Sequence, residues 1–74
     1  MKRKLVESSS LCAVGYDPGT QTLEVEFNSG EVYQYYAVPQ RVYRDLLAAP
    51  SIGQFFAHFI KTTYEWEKIA SEEF

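Results

Sequence analysis

Thr22-Leu23-Glu24-Val25-Glu26-Phe27-Asn28-Ser29-Gly30-Glu31-Val32-Tyr33-Gln34-Tyr35-Tyr36 decides the fold of this 74-residue chain. Its first six residues alternate without exception, with Leu23, Val25 and Phe27 on one side and Thr22, Glu24 and Glu26 on the other. Period-two alternation describes a strand with one wet face. Asn28-Ser29-Gly30 supplies a hairpin loop with glycine where a left-handed residue is wanted, and Glu31 to Val38 returns as the next strand. If all three residues form the loop, Phe27 faces Glu31, Val25 pairs with Tyr33 and Leu23 pairs with Tyr35. A two-residue turn would instead pair Val25 with Gln34 and bury an amide. The first register keeps the apolar set together and is preferred. It requires a bulge near Tyr36-Ala37 to bring Val38 back to the core side.

Upstream, Leu11 to Tyr16 is a short apolar run that ends in Asp17-Pro18-Gly19-Thr20. Proline presets one turn angle there and glycine accepts a positive one. Downstream, Pro39 suits a first helical turn, and Val42, Tyr43, Leu46 and Leu47 follow at helical period before Pro50 ends the helix. Ser51-Ile52-Gly53-Gln54 reads as a capping box opening a second helix, with Ile52, Phe55, Phe56, Phe59 and Ile60 as its apolar stripe. The expected fold is α+β in two layers: a three-stranded antiparallel β-meander followed by two short α-helices packed on one face. Residues 1–7 read as a flexible basic N-terminus, 8–61 as the domain, and 62–74 as a C-terminal tail or helix extension anchored by Tyr64, Trp66 and Ile69.

So short a chain holds one domain and buries a modest fraction of its surface, so its six Tyr, five Phe and one Trp must carry much of the core. The single cysteine, Cys12, excludes an internal disulfide framework and points to a reducing, cytoplasmic setting. Met1-Lys2-Arg3-Lys4 is followed by Glu7 and the run Ser8-Ser9-Ser10 where a signal peptide needs an apolar stretch. No segment approaches the length of a membrane span, so no membrane partner is expected.

Catalysis needs a nucleophile, a base and an orienting group, and the chain offers one histidine, His58, and one cysteine. His58 flanks the second helix's apolar stripe and reads as an ordinary structural or surface histidine. Cys12, on a strand, reads as a small core residue. No His, Cys or carboxylate spacing matches a metal site, and the glycines lie in four separate elements rather than in one phosphate cradle. The chain is expected to be no enzyme and to hold no cofactor.

Tyr33-Gln34-Tyr35-Tyr36 is the most informative feature, since strand period puts Tyr33 and Tyr35 together and Tyr36 opposite. Such rings form either a stacking platform for bases or large core residues whose hydroxyls reach out of the core. Arg41 and Arg44, on the first helix, are candidates to complete a small anion site with Lys61. Against a nucleic-acid role stand the net charge of −3 and the confinement of clustered cations to the N-terminus.

Together these residues form a recognisable set: Val14-Gly15-Tyr16-Asp17; Leu23, Val25 and Phe27; Gly30, Tyr33 and Tyr35; Val38-Pro39; Tyr43 and Leu46; Ser51, Gly53 and Phe55-Phe56. The set resembles the KTSC domain family, named for its occurrence at the C-terminus of some lysyl-tRNA synthetases and also found alone in small bacterial and phage proteins. The resemblance runs from about Val6 to Lys61 and implies an RNA-binding role of the kind suggested for that family. Many relatives carry Asn and Arg where this chain has Ala57 and Lys61, and lysine lacks the planar fork that grips phosphate bidentately. With the acidic tail, these departures weigh against transfer of an RNA role. The expected function is a non-catalytic protein-interaction module, with an RNA-binding accessory domain as the alternative. The partner is accordingly a protein or RNA, with Tyr33, Tyr35, Tyr36, Arg41, Arg44 and Lys61 as candidate binding residues and the oligomeric state left open.

Overall fold

A computed structural model describes residues 1–70. The β3–β4 hairpin at its centre joins Thr22–Phe27 to Val32–Tyr35, with Leu23 opposite Tyr35 and Val25 opposite Tyr33. This is the register that keeps the apolar side chains on one face. The Phe27 and Glu31 backbones close the three-residue loop with a 2.9 Å hydrogen bond, and Gly30 takes the left-handed φ of 95° the loop demands.

β2, Leu11–Asp17, pairs antiparallel with β3, and a register shift between Leu11 and Ala13 leaves half-buried Cys12 without a partner on β3, its carbonyl accepting instead from the Val6 N–H at 3.1 Å. The extra residue turns Leu11 and Val14, three apart, onto the same core face. In the β2–β3 turn the Gly19 N–H donates to the Asp17 carboxylate at 2.9 Å, and Gln21 rather than Gly19 takes the positive φ, 54°. β4 ends at Tyr35, and the bulge expected just beyond it takes the form of a left-handed residue, Ala37, with φ 56°. Val38 then turns into the core, its N–H donating to the Gln21 carbonyl at 2.9 Å.

The class is α+β, but the sheet has five strands rather than three, in the order β1-β2-β3-β4-β5 with every pair antiparallel. β1, Lys4–Leu5, lies in the segment expected to be a flexible basic terminus, and pairs Lys4 with Val14 and Leu5 with Ala13. β5, Trp66–Ala70, lies where a tail or helix extension was expected and pairs along β4. Neither strand carries alternation: β1 is two residues long and every residue of β5 is exposed, so no period-two signal existed to read. The last four residues of the expected tail lie outside the described residues.

α1, Gln40–Ala48, starts after Pro39 and ends before Pro50, burying Leu46 and packing Val42, Tyr43 and Leu47 against the core. The Tyr16 and Tyr43 rings stack at 5.1 Å, and the Tyr16 hydroxyl donates to the Val38 carbonyl, tying α1 and its entry to β2. α2, Ile52–Phe55, opens with the expected serine cap, the Ser51 hydroxyl accepting from the Gln54 N–H at 3.3 Å. It runs directly into a π-helical turn, Phe56–Ile60, closed by a 2.9 Å bond from the Lys61 N–H to the Phe56 carbonyl. The wide turn splits the expected apolar stripe: Phe56 and Ile60 are buried, while Phe59 is turned out to solvent against Phe55. The core comprises Leu11, Val14, Leu23, Val25, Tyr35, Val38, Leu46, Phe56 and Ile60, between one face of the sheet and the helices.

Candidate functional site

Tyr33 and Tyr35 point to the helix side of the sheet, one strand over from Val25 and Leu23. Tyr35 is buried, with the Phe56 ring set edge-on against it at 5.3 Å. Phe56 also meets Phe27 edge-on at 5.6 Å, and Phe27 meets Tyr33 at 5.4 Å. On the far side Tyr33 touches the Trp66 ring at 5.3 Å, and Trp66 is 55% exposed. Core and surface are therefore joined by one run of rings, from Phe56 outward to Trp66.

Where the run leaves the core it floors an open groove of about 660 Å³. Phe27, Tyr33, Tyr35 and Trp66 form the apolar base, and Ser9, Ser10, Asn28, Ser29, Lys61 and Thr62 form much of the rim. Glu31, also on the rim, meets the Lys68 ammonium at 2.9 Å, which lowers its carboxyl pKa through the hydrogen bond and the opposite charge. The groove has a concave apolar floor with a few polar groups at its edge, the form that small-molecule pockets commonly take.

The other face of the sheet sets the buried apolar side chains of Ala13 and Val32 beside Glu26, and it buries Thr22 and Glu24, expected on a wet face from the alternation, because the N-terminal segment covers it. Arg3 reaches from beside β1 across Gly15 to Glu24 at 3.4 Å and Glu26 at 3.6 Å. Glu24, largely buried, also accepts from the Gln34 amide at 3.0 Å. Tyr36 continues this line, its hydroxyl lying 3.3 Å from both the Gln34 carbonyl oxygen and the Glu67 carboxylate. Desolvation, then the Glu67 charge, raises the Tyr36 phenol pKa.

The six residues singled out from sequence are thus divided. Tyr33, Tyr35 and Lys61 line the groove, Tyr36 belongs to the opposite face, and Arg41 and Arg44 lie exposed on α1 outside the groove lining. Lys61 is not gathered with the two arginines into one anion site, because the π-helical turn delivers it to the groove while α1 carries them elsewhere. Sequence reasoning missed Trp66 as a groove residue. Its one signal was being the sole tryptophan in an otherwise polar segment.

Burial, with a smaller contribution from Tyr33, pushes the Tyr35 phenol from 10.0 up to about 12. The folded phenol keeps its proton where the unfolded one releases it. Its contribution to stability is therefore complete below the unfolded pKa and declines as pH rises towards about 12. A loss of about 2 kcal/mol by that pH is expected from this group. Urea unfolding across the alkaline range should show a shallower decline for Tyr35→Phe than for the wild type, and identical declines would refute the assignment.

The KTSC domain family profile matches residues 7–64. An uncharacterized protein of Stutzerimonas stutzeri is 52% identical over 61 residues, covering 82% of this chain and 86% of that protein. A lysine–tRNA ligase of Nostoc is 45% identical over 64 residues, which are 86% of this chain but 11% of the ligase. The crystal structure of a KTSC domain protein from Yersinia pestis superposes with a TM-score of 0.91 at 38% identity, covering 93% of this chain and 97% of that one. Among the described residues no helix is long and apolar enough to cross a membrane.

Proposed function

The chain belongs to the KTSC domain family, and from that premise we propose that it is a binding module whose aromatic groove docks a segment of a protein partner. The observation that carries this reading is the exposed Trp66 ring continuing the run of core rings into an open groove. Tryptophan and tyrosine anchored on a rigid core are the side chains that most often dominate protein interfaces, because they offer large apolar area at small entropic loss. The groove rim carries one lysine and a Glu31 already neutralised by Lys68, a balance suited to an apolar segment.

Association through this groove should depend on Trp66. Trp66→Ala is expected to weaken capture of the partner from a bacterial lysate by at least about tenfold, as removal of an interface anchor does. An exposed alanine substitution on α1, Arg44→Ala, should leave capture unchanged. Equal retention by wild type and Trp66→Ala would refute the groove as the docking site.

RNA binding is the second reading, favoured by the lysine–tRNA ligase relatives and by the pairing of exposed rings with Lys61. Against it, Arg41 and Arg44 stand outside the groove lining and Arg3 is engaged with Glu24 and Glu26. Several phosphate contacts are needed for useful affinity at physiological salt. Amide NMR titration with mixed-sequence single-stranded RNA separates the two: salt-sensitive shifts at Tyr33, Lys61 and Trp66 support RNA, and none at low salt retires it.

A further inference from the structure

The groove lies over β4 and β5, on the side of the sheet that carries the helices. The helical layer reaches this region at Phe56, which covers Tyr35 and Phe27, while Trp66 on the neighbouring strand stays open. The uncovered strip is therefore about two strands wide. Strands lie ~4.7–4.9 Å apart and a helix with its side chains is ~10–12 Å across, so this strip matches one further helix laid beside the existing layer.

The outer edge of β5 is the competing surface, and it is guarded. Glu67 and Lys68 sit at its centre, and a register shift between Val32 and Tyr33 leaves Ile69 as an extra residue that breaks the ladder. Charges and bulges are the devices by which edge strands resist further pairing. Twofold pairing of two copies centred on either residue would set Glu67 against Glu67 or Lys68 against Lys68, like charges directly opposite. The face is open where the edge is defended.

Resting on the reading of the groove as a protein-docking site, we infer that the partner segment is an amphipathic helix. Its apolar stripe lies on Trp66, Tyr33 and Phe27, and an acidic residue on its flank faces Lys61. The charge follows from the rim, where Glu31 is neutralised by Lys68 and Lys61 lies exposed.

The test is selection of binders to the full chain from a displayed library of random peptides about 16 residues long, enough for four helical turns. Expected binders repeat apolar residues three and four apart, carry Asp or Glu on a flank, and blue-shift the emission of Trp66, the sole tryptophan. Their affinity falls at least about tenfold in Trp66→Ala and roughly threefold in Lys61→Glu. Circular dichroism and thermal melting establish that both variants fold. Binders whose apolar residues alternate at period two, still dependent on Trp66, overturn the helix and leave the groove reading intact. Binders indifferent to Trp66→Ala, or no binders at all, overturn both.

Discussion

Phe56→Ala is expected to lose about 3–5 kcal/mol of folding stability, the range for deleting a buried aromatic ring. Phe56 is 3% exposed and its ring meets Phe27 and Tyr35, so its removal opens a cavity between the second helix and the β3–β4 hairpin. A domain this small sits near the lower end of the ~5–15 kcal/mol that folded proteins retain, so the variant should be close to half unfolded or worse. Phe59→Ala is the control. Phe59 is 60% exposed, and its truncation should cost under about 1 kcal/mol. Urea denaturation of both variants decides the matter: similar losses would refute the burial of Phe56 and the exposure of Phe59.

The second large effect concerns Gly15. A β-carbon there would stand 2.7 Å from the Lys2 carbonyl oxygen and 3.2 Å from Arg3 Cγ, so Gly15→Ala requires the backbone at Lys2 and the Arg3 side chain to shift. The consequence reaches β3, because Arg3 crosses this position to meet Glu24 and Glu26. Glu24 is largely buried, and without Arg3 its carboxylate keeps only the Gln34 amide. A loss of about 1–3 kcal/mol is expected, the scale for stripping a partner from a buried charged group. The double variant Gly15→Ala, Arg3→Ala should be scarcely less stable than Gly15→Ala alone, since both act through the same contact. Additive losses would show that Gly15 matters for another reason.

Legibility in the sequence followed the periodicities. Leu23, Val25 and Phe27 alternate, and one register keeps Tyr33 and Tyr35 beside Val25 and Leu23, which is how β3 and β4 pair. Ser51 and Gln54 announced the start of α2, and Pro39 and Pro50 bracketed α1. Phe59 shows where such reasoning stops: at helical spacing it is indistinguishable from Phe56 and Ile60, yet in the π-helical turn it faces solvent while they are buried. Half of the candidate site was legible in the same sense. Tyr33, Tyr35 and Lys61 do line one groove, whereas Tyr36, Arg41 and Arg44 are separated from it by the sheet or by the course of α1.

The amino-acid sequence alone determined the α+β class, the β3–β4 register and the family: class and register rest on periodicities local to single elements, and the family on an ordered set of short motifs from about Val6 to Lys61. The tertiary structure alone decided the two outer strands and the groove. Lys4–Leu5 and Trp66–Ala70 have no period of their own and become strands only because β2 and β4 present unpaired backbone N–H and C=O groups that must be satisfied. Trp66 acquires its place in the same way: pairing with Tyr35 across β4 and β5 sets its ring against Tyr33, and an aromatic groove appears that no stretch of the chain spells out by itself.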